Sequence, residues 1–329
     1  MIYTILYIVS NINIKIESQD HFLYKKVTNF INDHFHFKKS QSSSLSNYIY
    51  LRFNHRNLSF VPSNTSKKAV VIFNGSGILV SKYLDTCYIQ TKSSFAKLEL
   101  KKGLATIDVN SSFWKSNLKT RIDFFLLVLL WLFREKELYA LHSNCLIGKD
   151  GNGVLVLGPS GSGKSTCSLN LINQGWSYLS DDITLIRNSE NGIEAFSFLK
   201  LYSISSILYD KYFGSSLIKQ NSSAARKKEF IDLKSIYPDK FRFSCFPSIL
   251  LFPKVTNSIR SDIIPLDVTQ TFIRLIENSA GIMIERDRTI KQIQVLKKLL
   301  KQTVGFDIHL GQDLYIEPDK TINLISNVI

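Results

Sequence analysis

Over roughly the first 110 residues, apolar and polar positions alternate in short runs, the period of two that sends successive side chains to opposite faces of a strand. Ile12, Ile14 and Ile16, spaced by Asn13 and Lys15, show it most clearly. Further strands are predicted at 69–73, around Cys87-Tyr88-Ile89 and at 105–109, and the serine-rich stretch 40–46 reads as a surface loop. The spacing then changes. Residues 121–133 are almost wholly apolar and predict a buried helix. Gly153-Val154-Leu155-Val156-Leu157 is an unbroken apolar run, as expected of a strand covered on both faces. The segment 141–147 is predicted to pair with it through a turn at 148–152. A short helix follows over 164–174, packing through Leu169, Leu171 and Ile172 and stopped by Gly175. Beyond it come strands at 176–182 and 183–187, a turn at Asn191-Gly192, and helices at 265–278 and 286–302. The last helix draws its apolar side from Ile290, Ile293, Val295, Leu296, Leu299 and Leu300.

These elements predict a β-rich N-terminal domain over 1–115, without catalytic spacing, and an α/β domain over 116–329. A hydrophobic content of 44% with 12% aromatics is enough for a substantial core and excludes a disordered chain. Cys87, Cys145, Cys167 and Cys245 stand far apart with no CxxC spacing, which argues against a zinc site or a disulfide framework and suits a reducing, cytoplasmic setting. No membrane segment is expected. The apolar start lacks a basic leader and runs on into strand alternation, and 124–133 is too short to span a bilayer. The net charge of +14 raises nucleic acid as a partner, but the lysines are dispersed. The densest clusters, Arg226-Lys227-Lys228 and Lys297-Lys298 with Lys301, are not interleaved with base-stacking aromatics, so no nucleic acid is expected.

The chemistry is concentrated in Gly158-Pro159-Ser160-Gly161-Ser162-Gly163-Lys164-Ser165-Thr166, which fits the phosphate-loop template G-x-x-x-x-G-K-[ST]. Glycines let backbone N–H groups turn inward around phosphate oxygens where a Cβ would obstruct them. Lys164 brings a point charge to the outer phosphates, and the Ser165 hydroxyl is suited to a Mg²⁺ shell. The amides at the start of the following helix add partial positive charge. A nucleotide, with Mg²⁺ at its phosphates, is the expected ligand. Phosphoryl transfer also needs a group to position and deprotonate the attacking hydroxyl. Asp181 and Asp182, at the end of the strand after the loop helix, can supply a metal contact and a base. The predicted hairpin brings His142 to the loop end of the sheet.

The block Leu141-His142, then 153–166, then Gly175-Trp176 through Leu179-Ser180-Asp181-Asp182, resembles the catalytic domain of HPr kinase/phosphorylase, and most nearly the looser group of HPr-kinase-related serine kinases. A fainter similarity runs on through Ile249-Leu250-Leu251-Phe252-Pro253 and the C-terminal helices. The resemblance implies a nucleotide fold of the HPr kinase and phosphoenolpyruvate carboxykinase type, and a kinase that passes the γ-phosphoryl of ATP to a serine hydroxyl. It implies Lys164 and Ser165 on phosphates and metal, one of Asp181 and Asp182 as base with its neighbour a metal contact, and His142 beside the transferring group. The resemblance alone puts the base at Asp181 and the metal contact at Asp182, and the two roles are exchangeable. Thr166 stands where HPr kinases carry an acid, their Glu-Ile-Arg-Gly signature has no counterpart in 196–207, and the N-terminal part is unlike theirs. The acceptor is therefore expected to be a serine of a protein or peptide, or a small-molecule hydroxyl, and a homo-oligomer stays open. The alternative is a nucleotide-binding regulatory protein or slow ATPase.

Overall fold

The computed structural model describes residues 1–40, 47–56, 68–214, 228–279 and 286–328, so the serine-rich loop beyond Ser40 and the basic pair Arg226-Lys227 lie outside the described residues. The protein is a mixed α/β chain that divides into two compact units, Met1–Tyr139 and Ala140–Ile329. None of the described helices is long and apolar enough to cross a membrane.

In the first unit the described strands are β1 (Tyr3–Val9), β2 (Ile12–Ser18), β3 (Lys38–Lys39), β4 (Tyr48–His55), β5 (Val70–Gly75), β6 (Ile78–Tyr83), β7 (Thr86–Gln90), β8 (Ser94–Glu99) and β9 (Leu104–Val109). They form one sheet in the order β3-β1-β2-β4-β9-β8-β7-β6-β5. Helix α1 (His21–His34), capped by Asp20, joins this unit. So does α2 (Leu118–Glu135), whose start is capped by the Asn117 side chain on the Thr120 amide. The helix predicted at 121–133 is present, but it belongs to the first unit and not to the second, as a boundary at 115 would require. Its fully buried Phe125 ring lies 4.8 Å from Phe30 and 5.7 Å from Phe53, so the apolar stripe is consumed against α1 and β4. The division falls after Tyr139 instead.

The division falls one residue into β10 (Tyr139–Leu141), and the second unit continues with β11 (Ser143–Ile147) and β12 (Gly153–Leu157). Helix α3 (Lys164–Asn173) and strands β13 (Ser177–Ser180), β14 (Thr184–Ser189), β15 (Gly192–Phe196) and β16 (Leu201–Ser205) follow. Next come α4 (Ser206–Phe213), β17 (Lys228–Asp232), α5 (Leu233–Ile236), β18 (Ser244–Cys245), β19 (Pro247–Val255) and β20 (Asp262–Pro265). The unit ends with α6 (Val268–Glu277), α7 (Arg286–Gln302), β21 (Val304–Leu310), α8 (Asp313–Ile316) and α9 (Pro318–Ser326). The sheet that carries the phosphate-loop sequence has the order β13-β11-β12-β19-β21-β20. β11 pairs antiparallel with β12, Ser143 opposite Leu157, as the predicted hairpin requires, whereas β12 and β19 run parallel. Every residue of β12 is buried. Val154 and Val156 pack with Leu146, Cys167, Leu171 and Ile172 under α3, and Leu155 and Leu157 fill the other face. Each such side chain contributes about 1.5–3 kcal/mol on burial, which anchors the strand from which the loop springs.

Two boundaries differ from the expected ones. Pro265 ends β20 and the helix starts only after Asp267, where a capping box with Gln270 satisfies the first amides. Ile290, expected on the apolar side of α7, is half exposed, while Val295, Leu296 and Leu299 are buried. Cys145 and Cys245, a hundred residues apart, bring their thiols to 3.5 Å.

Candidate functional site

The loop leaves the buried end of β12 and returns at the first turn of α3, the strand–loop–helix order expected of a phosphate loop. Gly161 (φ +85°) and Gly163 (φ +100°) both adopt backbone that L side chains rarely take. Lys164 is buried, and its ammonium donates to the carbonyls of Gly158 at 2.6 Å and Pro159 at 3.1 Å, which holds it at the mouth of the loop. Pro159, Ser160 and Gly161 are exposed and Ser162 partly so. Thr166 is buried in the first turn, where its carbonyl accepts from the Asn170 side chain. Exposed loop amides, first-turn amides without intrahelical acceptors and a cation at the mouth together suit a polyphosphate.

Gly163 also sits against the neighbouring strands. A Cβ there would meet Leu310 Cδ1 at 2.5 Å and Val255 Cγ2 at 3.2 Å. Gly163→Ala is therefore expected to destabilise the protein by roughly 1–3 kcal/mol, from backbone strain and overpacking together. Chemical denaturation should show the midpoint falling, and an unchanged midpoint would refute this account of the loop.

The paired acids face different surroundings. Asp181 is 1% exposed, and its Oδ2 accepts the Ser203 amide at 2.7 Å. The carbonyl of Ser203 accepts from the Ser165 hydroxyl at 3.4 Å, so one residue joins Asp181 to the first turn of α3. Burial first, and then the Asp181 carboxylate, push the neighbouring Tyr202 hydroxyl well above its ordinary pKa, which keeps that phenol neutral beside the acid. Asp182 instead lies in the left-handed region (φ +57°) with its side chain part exposed. Its Oδ1 stands 3.7 Å from His142 Nε2. His142 is itself fixed by its amide, which donates to the Asn278 carbonyl, and by the Leu141–Ser279 bridge. The expected site residues thus fall into two groups, the loop with Ser165 and Asp181, and the His142–Asp182 pair. Among the described residues no three His, Cys, Asp or Glu side chains gather as a metal-binding set.

A cleft of about 680 Å³ opens beside the loop, lined by Pro159 to Ser162 and by Gln270, Arg274, Glu277 and Asn278 of α6 and its C-terminal end. Arg274 pairs with Asp307. The α6 residues escaped the reading of the chain because they carry no motif. The periodicity of 265–278 announced a helix but not its neighbour.

No protein-family model matches this chain, and no curated protein does. Among solved structures it is similar to the HPr(Ser) kinase/phosphatase from Coxiella burnetii, with 16% sequence identity and a TM-score of 0.33. The match covers 57% of this chain and 88% of that one. A likeness of that degree places no residue of this chain in a role.

Proposed function

We propose that the protein is an ATP-dependent phosphotransferase acting on a hydroxyl, in the first instance a serine of a protein or peptide. The observation that carries this reading is the buried Lys164 ammonium at the mouth of a glycine loop, in a sheet that also brings His142 and Asp182 within 3.7 Å of each other. Lys164 and the first-turn amides of α3 neutralise charge on the outer phosphates, where it accumulates in phosphoryl transfer. Asp182, the more accessible acid, takes the proton of the acceptor hydroxyl as its oxygen bonds to the γ-phosphorus. The bond from that phosphorus to the bridging oxygen breaks, ADP leaving with the electron pair, and His142 orients the Asp182 carboxylate. Asp181, held through Ser203 near Ser165, serves the metal side. Of the two assignments the motif leaves open, this is the one with the base at Asp182.

The donor set fits Mg²⁺: a helix-start hydroxyl with a carboxylate held close by suits an oxygen-seeking cation whose remaining ligands are phosphate and water. When bound, Mg²⁺ supplies charge neutralisation on the transferring phosphates, and Ser165 and Asp181 would hold it. Incubation with γ-labelled ATP and lysate of the source cells, followed by identification of labelled species, tests the proposal. Label in a protein, peptide or small molecule supports it. Label only in free phosphate points to an ATPase, and none at all refutes both.

The basic surface is read as compositional. On α7, Lys298 donates to Asn188 and its neighbours form a solvated face. Affinity for duplex DNA is expected to be weak and to fall steeply between 50 and 200 mM salt, on the order of 10³-fold or more. Sequence-selective binding that persists at physiological salt would reverse this ranking of partners.

A further inference from the structure

A buried amide with no place in the phosphate-loop motif ties the two halves of the site together. Asn144 lies on β11, fully buried, on the face that packs under α3, since Leu146 two residues on belongs to that apolar cluster. An amide is costly in such surroundings unless its polar atoms are satisfied. Here Nδ2 donates to the Ser168 hydroxyl at 2.9 Å, and Oδ1 accepts the backbone N–H of Asp182 at 3.1 Å. Ser168, four residues after Lys164, is also fully buried, so the helix end of the link is rigid. The other end is Asp182, whose left-handed backbone is one that residues other than Gly, Asn and Asp seldom hold.

We propose that Asn144 is a positioning residue: through Asp182 N–H and Ser168 Oγ it sets where the Asp182 carboxylate stands relative to the phosphate loop. The proposal rests on the phosphotransferase reading for its consequence in turnover, but not for the contact itself. Thr184 fixes the neighbouring chain by a separate bond to the Ser143 carbonyl at 2.9 Å, which locates the strand end without reaching the Asp182 amide. Losing Asn144 therefore leaves the turn attached and frees the orientation of one acid. A displacement of about 1 Å at a reacting group is enough to cost on the order of a hundredfold in rate.

The test compares the full-length parent with Asn144→Leu, Asn144→Asp and Ser168→Ala, using ATP–Mg²⁺ as the probe and water as the default acceptor. Nucleotide affinity is read with a fluorescent ATP analogue, turnover by release of inorganic phosphate, and local structure by hydrogen exchange at the Asp182 amide. Asn144→Leu should bind nucleotide within about threefold of the parent, keep its KM, and lose about 10- to 100-fold in kcat. Asn144→Asp keeps an acceptor for the Asp182 amide and can accept a hydrogen bond from the Ser168 hydroxyl, so it should restore most of kcat. Ser168→Ala should fall between the two, and it carries the test if Asn144→Leu does not fold. The Asp182 amide should be protected in the parent and in Asn144→Asp, and exposed in Asn144→Leu. Equal exchange in the parent and Asn144→Leu overturns the contact. Unchanged kcat alongside lost protection overturns the positioning role alone. An inactive parent with a protected amide overturns the phosphotransferase reading and leaves Asn144 a structural tie.

Discussion

Replacing Asp182 by Asn is expected to lower phosphoryl transfer from ATP by about 100- to 10,000-fold, with little change in nucleotide affinity. A base acts as the acceptor oxygen loses its proton, so its contribution belongs to the transition state and not to the bound ground state. By the usual conversion that loss amounts to about 2.7–5.5 kcal/mol of barrier. Asn is a clean probe at this position. It tolerates the left-handed backbone at φ +57°, keeps the backbone amide that donates to Asn144, and matches Asp in shape while removing the charge and the basic oxygen. Asp181→Asn makes the contrast. Its carboxylate accepts the Ser203 amide inside the protein, so the change should appear as lost stability and a higher Mg²⁺ requirement. Single-turnover assays with γ-labelled ATP, repeated across a Mg²⁺ titration, separate the two. Near-parental turnover in Asp182→Asn with none in Asp181→Asn would return the base to Asp181. Near-parental turnover in both would remove the acids from the chemistry and leave a nucleotide-binding regulatory protein.

Local pattern carried the reading of the chain as far as neighbours a few residues apart decide the structure. The apolar run 153–157 needed only its own composition to declare a strand buried on both faces, and the turn at 148–152 folds 141–147 back beside it. That hairpin places His142 next to the residue paired with Leu157, which is why the sequence alone links a single histidine to the loop. Gly175 likewise announced the end of α3, since its φ of +99° is one that few other residues accept.

What stayed hidden depends on partners distant along the chain. The stripe 121–133 is equally helical whichever unit it joins, and only the rings of Phe30 and Phe53 decide that it packs in the first. The different roles open to Asp181 and Asp182 were also invisible. Adjacent residues at a strand end point in different directions, and which one is buried depends on Ser203 and Asn144, 22 and 38 residues away. The α6 lining of the cleft belongs to the same class, and so does the meeting of Cys145 with Cys245.

Lys164→Ala is expected to weaken ATP–Mg²⁺ binding by roughly 2–4 kcal/mol, about 30- to 1000-fold. Lys164 as a residue is 5% exposed and its ammonium is already drawn to the loop mouth by two carbonyl oxygens, so its charge acts on a bound phosphate with little water between them. The same two bonds help hold the loop, and their loss could by itself disorder the site. Lys164→Arg controls for that, since it keeps the charge while changing the fit of the head group. If charge dominates, Arg should recover more than half of the lost binding energy; if the loop geometry dominates, Arg should bind as poorly as Ala. Isothermal titration of ATP–Mg²⁺ into the three proteins, with denaturation curves to confirm that each is folded, distinguishes these outcomes. A folded Lys164→Ala variant that binds ATP as tightly as the parent would mean that the glycine loop is a turn and not a phosphate site, and the phosphotransferase reading would fall with it.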